Sequence, residues 1–184
     1  AIDSGRLSYT DKIPCTETAA AMGGSQIWLD VREELTVDEM LKAICVVSAN
    51  DCVVAMAEHI AGTEEAFATL MNKAAKDLKM TNTHFANATG MPHNDHYTTA
   101  YDLALLPRAI IRDFPDSYEI YSKKEFVFNN IKQINRNRLL WSTSIKADGI
   151  KTGYTESAGY CLVASAEQDT MRLIAVVIGA DNDK

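Results

Sequence analysis

The chain contains no apolar run near the ~20 residues that a bilayer-spanning helix requires, so any membrane association is expected only through segments outside it. It is poor in positive charge. Its 18 Lys and Arg face 25 Asp and Glu, a formal net charge of −7 that argues against broad phosphate-backbone binding, and nucleic acid is not an expected partner. Cysteine is sparse: Cys15, Cys45, Cys52 and Cys161 form no C-x-x-C pair, which removes the zinc-ribbon and thioredoxin-type readings. They read as small core residues, with a single disulfide left open. Neither an initiator methionine nor a signal-type apolar stretch opens the sequence, and Ala1-Ile2-Asp3-Ser4-Gly5 reads as if cut from something longer.

With 184 residues and 47% hydrophobic content, the chain can bury the core of one domain or a large part of one. Leu, Ile and Val recur at helical spacing over 36 to 47, and Thr36 with Glu39 has the T-x-x-E form of a capping box. A helix there delivers Ser48-Ala49-Asn50 at its C-terminal end. Asp51 to Ala61, closed by Gly62, reads as a second helix, and Thr63-Glu64-Glu65 opens a third that finishes near Lys76 and Lys79. Thr99 and Asp102 repeat the capping spacing before Leu103 to Arg112, with a kink or split expected at Pro107. After Pro115 the pattern changes to strands. Glu125 to Phe128 and Ile131 to Ile134 flank the turn formers Asn129-Asn130, and Tyr160 to Ala166 and Arg172 to Gly179 flank residues 167 to 170. The second pair is nearly continuous in hydrophobicity, which suggests strands covered on both faces by helices. The expected division is a mainly helical part over 36–115 and a mainly sheet part over 116–184.

Two triplets bear on chemistry, Ser48-Ala49-Asn50 at a helix end and Lys151-Thr152-Gly153 at the start of a strand. Either alone reads more simply as a helix-terminating turn or a solvated strand end. Together they match the second and third motifs that accompany S-x-x-K in penicillin-binding proteins and class A β-lactamases. Around them stand Asn82-Thr83-His84-Phe85, Ala88-Thr89-Gly90, Arg112-Asp113, the run Gln133 to Trp141, Asp148-Gly149-Ile150, Ala158-Gly159-Tyr160 and Leu162 to Ala166. In order and spacing these resemble the D-alanyl-D-alanine carboxypeptidases, from about Lys12 to Gly179.

The resemblance implies an α/β (α+β) domain of the penicillin-binding protein/β-lactamase type, an antiparallel sheet flanked by helices plus a helical subdomain. It implies a serine peptidase that removes the terminal D-alanine from peptidoglycan stem peptides through an acyl-enzyme. That activity lies outside the cytoplasmic membrane, needs no cofactor, and is inhibited by β-lactam antibiotics. Residue by residue, Ser48 would relay a proton to the leaving amine, and Asn50 would bind the substrate amide. Lys151 would supply positive potential and a hydrogen bond to Ser48. Thr152 and Arg136 would hold the terminal carboxylate, and Gly153 would give the substrate room.

The family nucleophile is the serine of S-x-x-K, yet none of the ten serines here has a lysine three residues on. The comparison expects that motif about twenty residues upstream of Ala1, on a helix ending at Ala1 to Ser4, and a closing helix beyond Lys184. A chain truncated at both ends, inactive by itself, is the resulting expectation, with apolar surface exposed where such elements would sit. The class A β-lactamase alternative lacks its E-x-x-L-N loop here. A non-catalytic peptidoglycan- or inhibitor-binding module is the alternative from another class. His93-Asn94-Asp95-His96 is a turn-forming run without a third ligand, so no metal site is assigned, and His59 and His84 read as helix-surface and loop residues.

Overall fold

The computed structural model describes residues 1–183. Its elements follow the order β1 Lys12–Pro14, α1 Glu17–Ala20, β2 Glu34–Thr36, α2 Val37–Val47, α3 Asn50–Ala61, α4 Glu64–Asp77, α5 Ala100–Asp113 and α6 Pro115–Tyr118. The strands β3 Glu125–Phe128, β4 Ile131–Ile134, β5 Ala147–Thr155, β6 Gly159–Gln168 and β7 Met171–Ala180 complete it, with short 3-10 turns at Glu119–Ser122 and Arg138–Trp141.

The capping box at α2 forms as expected: Thr36 Oγ1 accepts from the Glu39 N–H, and the Glu39 carboxylate accepts from the Thr36 N–H. Val37, Met40, Ala43 and Val47 then share one helical stripe and are buried. They pack with Ile13 of β1, Leu35 of β2, Val54 of α3 and Phe126 of β3 in one core. Each large aliphatic side chain contributes roughly 1.5–3 kcal/mol by leaving water. Gly62 and Thr63 close α3 and open α4 where the composition placed them.

Asn129 and Asn130 both adopt left-handed φ, 48° and 62°, the conformation that a two-residue hairpin turn requires. The hairpin β3–β4 and the antiparallel sheet β5-β6-β7 are therefore present. Two expectations are corrected. First, α5 runs unbroken through Pro107, whose ring is buried while the helix packs on β7, so tertiary packing outweighs the local loss of a backbone bond. Second, β7 is not covered on both faces. Its residues alternate between exposed and half-buried as far as Val177, because α5 covers one face, and Met171, Leu173 and Val177 stand 61%, 62% and 48% exposed.

All four cysteines are unpaired; Cys15, Cys45 and Cys52 are core residues, but Cys161 on β6 is only half-buried. At the start, residues 1–6 form a turn. The Arg6 N–H bonds Ala1 O and the Gly5 N–H bonds Ile2 O, with Gly5 at φ 71°, the paired bonding of a helix-terminating turn. His59 lies exposed on α3, and His84 pairs with Tyr97 in an isolated bridge. Among the described residues no helix is long and apolar enough to cross a membrane.

Candidate active site

Helix α2 ends on Ser48, which adopts φ 66° and ψ 40° and sends its N–H back to Ile44 O. A non-glycine residue in this left-handed region costs of order 1–3 kcal/mol and persists where the surroundings fix it. Here the fixing comes from both sides. Ala49, next in the chain, is fully buried, and α3 begins at once with Asn50. Asp51, also fully buried, accepts from the backbone N–H groups of Ile27 (3.1 Å), Leu29 (3.2 Å) and Cys52 (2.9 Å). Its carboxylate thus ties the 27–29 segment to the first turn of α3, where negative charge is favoured.

Opposite the end of α2, β5 brings Lys151, whose Nζ donates to Ser48 Oγ at 3.0 Å and to Thr152 O at 2.7 Å. The strand is held there by a brace. The Asp148 carboxylate accepts from Arg172 (2.7 Å) and from Tyr118 Oη (3.1 Å), and Gly149 passes so closely under Tyr118 and Tyr121 that a Cβ would lie 3.0 Å from each. A cavity of about 260 Å³ lies beside this brace rather than at the Ser48–Lys151 pair. Of its three charged lining residues, Glu119, Asp148 and Arg172, the last two already bond each other.

Burial holds the Lys151 ammonium down at about 8, and the nearby Arg136 charge pushes the same way. The neighbouring Cys45 would oppose this as a thiolate. Burial, however, pushes that thiol up to about 12, so it is uncharged where Lys151 titrates. Between pH 8 and the ordinary lysine value of 10.5 the unfolded chain binds the proton that the folded chain has released, and stability from this group rises with pH. Below pH 8 the charge is buried at full cost. Lys151→Met should therefore be more stable than the unsubstituted protein at pH 6, and the gap should close as pH rises through 8 towards 10.5. Thermal melts of both proteins across that range check it.

Asn50 and Arg136 are both tied to the segment Gly23–Ser25, and Thr152 and Gly153 follow Lys151 on β5. Asn50 is buried, its Nδ2 donating to Gly23 O (2.8 Å) and its backbone N–H to Ser25 O (2.7 Å). Arg136 is exposed and its Nη1 donates to Ser25 Oγ at 2.9 Å. Thr152 follows Lys151 on β5, half-buried, and Gly153 is exposed at the next position. A Cβ at Gly153 would meet only Cys161 Cβ at 3.9 Å, so the protein's own packing does not demand glycine there. Gly24 is different: at φ 79° it lies so near Asn50 that a Cβ would come within 2.8 Å of Nδ2. Sequence reasoning missed the segment Gly23-Gly24-Ser25, Asp51 and the Asp148 brace. Two glycines and a serine signal only a turn, and nothing local marks which distant residues a turn will touch. Among the described residues no group of three or more His, Cys, Asp or Glu side chains is placed to hold a metal ion.

A helical part set against an antiparallel sheet is the fold of the penicillin-binding proteins. The structure superimposes on penicillin binding protein 5 from Haemophilus influenzae with a TM-score of 0.94 at 43% identity, over 97% of this chain and 53% of that one. Penicillin-Binding Protein D2 from Listeria monocytogenes, solved in the ampicillin-bound form, gives 0.86 at 29% identity over 99% of this chain and 74% of that one. The chain belongs to the D-alanyl-D-alanine carboxypeptidase family, which it matches over residues 1–182. It is 46% identical to the D-alanyl-D-alanine carboxypeptidase DacF of Bacillus subtilis across its whole length. It spans about half of that relative, 48%.

Proposed function

We propose that this chain carries the substrate-reading and proton-relaying part of a serine-type D-alanyl-D-alanine carboxypeptidase acting on peptidoglycan stem peptides in the cell envelope. The observation that carries this reading is the 3.0 Å contact between Lys151 Nζ and Ser48 Oγ, residues 103 positions apart. In such a reaction a serine adds to the peptide carbonyl, the bond to the last D-alanine breaks, and its amine leaves with a proton; water then releases the acyl group. Ser48 sits between Lys151 and the leaving amine as the relay. Asn50 binds the substrate amide, and Arg136 with Thr152 holds the terminal carboxylate. Gly153, bare of any packing need, lets the substrate backbone approach β5. β-Lactams present an acyl carbonyl and a carboxylate to the same groups, and ampicillin is bound in the Listeria structure.

The nucleophile belongs to an S-x-x-K sequence, which none of the ten serines of this chain provides. Incubated with penicillin, the 184-residue chain should therefore show an unchanged intact mass, whereas a longer protein carrying S-x-x-K should gain one acyl group. A stoichiometric adduct on the 184-residue chain would overturn the assignment of the nucleophile.

A further inference from the structure

We infer that Ser25 is a positioning residue for Arg136, and that the segment Gly23–Ser25 couples the residue that reads the substrate amide to the residue that reads its carboxylate. The inference rests on the carboxylate-reading role of Arg136 given above.

The backbone on either side of Arg136 is clamped. Asn135 is 6% exposed and Asn137 1% exposed. The Asn135 side chain donates to Lys123 O (2.9 Å), its backbone N–H donates to Lys124 O (2.8 Å), and its Oδ1 accepts from the Asn137 N–H (2.9 Å). Asn137 Oδ1 in turn accepts from the Leu139 N–H at 3.2 Å. Two buried amides thus fix where the Arg136 Cα stands and leave only its long side chain free. An exposed arginine side chain has many accessible rotamers, so an unpinned guanidinium would sample many directions.

Ser25 pins it. The hydroxyl accepts from Nη1 at 2.9 Å and leaves the other guanidinium N–H groups for a planar pair of bonds to a carboxylate. The pin is itself anchored, because Ser25 O takes the Asn50 N–H and Gly23 O takes Asn50 Nδ2. Gly24 permits the closeness, since any side chain there would displace Asn50. One three-residue turn therefore holds both Asn50 and Arg136, although Arg136 lies 86 positions from Asn50 and 111 from Ser25.

Ser25→Ala removes only the hydroxyl and keeps the backbone bond to Asn50. In a protein carrying the S-x-x-K serine, it should raise KM for an N-acyl-D-Ala-D-Ala substrate about threefold to tenfold, the worth of one lost hydrogen bond. It should leave kcat and the inhibition constant of the matching C-terminal amide near their original values, and Ser25→Thr should restore KM. Equal effects on acid and amide, no effect on either, or no recovery with threonine would overturn the inference. Arg136→Gln separates the two failures. If it treats acid and amide alike, the carboxylate reading itself falls; if it discriminates and Ser25→Ala does not, only the positioning role of Ser25 falls.

Discussion

Ser48→Ala should lower turnover of a D-Ala-D-Ala peptide about a hundredfold or more, the usual cost of losing a proton-relay or oxyanion-type group, while barely moving the unfolding midpoint. The asymmetry follows from what the hydroxyl touches. Ser48 terminates α2 through its backbone N–H, which alanine retains, and its side chain contacts Lys151 Nζ at 3.0 Å. Alanine accepts the left-handed backbone about as poorly as serine, so no large conformational penalty is added. The amine keeps its 2.7 Å bond to Thr152 O and stays in place without a relay. Steady-state rates and urea melts of a protein carrying S-x-x-K, with and without the substitution, make the comparison. A stability loss as large as the rate loss would make Ser48 a helix terminator and no more.

Arg136→Gln should reduce kcat/KM on a peptide ending in D-Ala-D-Ala by about tenfold to a hundredfold, because a charged hydrogen bond is worth roughly 1.5–3 kcal/mol. A matched substrate with an amidated terminus should change little. Stability should also hold, since the guanidinium is exposed and donates to the hydroxyl of Ser25, while Asn135 and Asn137 carry the local structure. The same substitution also removes a positive charge that holds the Lys151 ammonium down, so the Lys151 titration should move upward. Equal losses on acid and amide would make Arg136 a support for the sheet edge.

Local patterns carried much of the fold. The reciprocal Thr36–Glu39 cap, the stop at Gly62 and the cap at Thr63 are interactions among residues within a few positions, and each forms where the sequence places it. The Asn129-Asn130 turn is equally local, since asparagine tolerates the positive φ that both positions adopt. Pro107 failed as a local signal because its cost is offset by packing against β7, which no window of sequence contains. The coverage of β7 failed for a related reason. Continuous hydrophobicity says that a strand can be buried on two faces, and it does not say which faces a helix reaches.

The site divides in the same way. The sequence alone determined the two triplets, the N-R-N run and the family to which they belong, because those depend on residue identity and order. It also determined that no serine here stands three residues before a lysine. Only the tertiary structure decided that Lys151 reaches Ser48, that its ammonium is held down to about 8, and that Ser25 meets Arg136 from 111 residues away. Hydrogen-bond reach is a matter of ångströms and desolvation a matter of what surrounds a charge. Both are fixed when strand and helices pack, and neither is encoded in the neighbours of the residue along the chain.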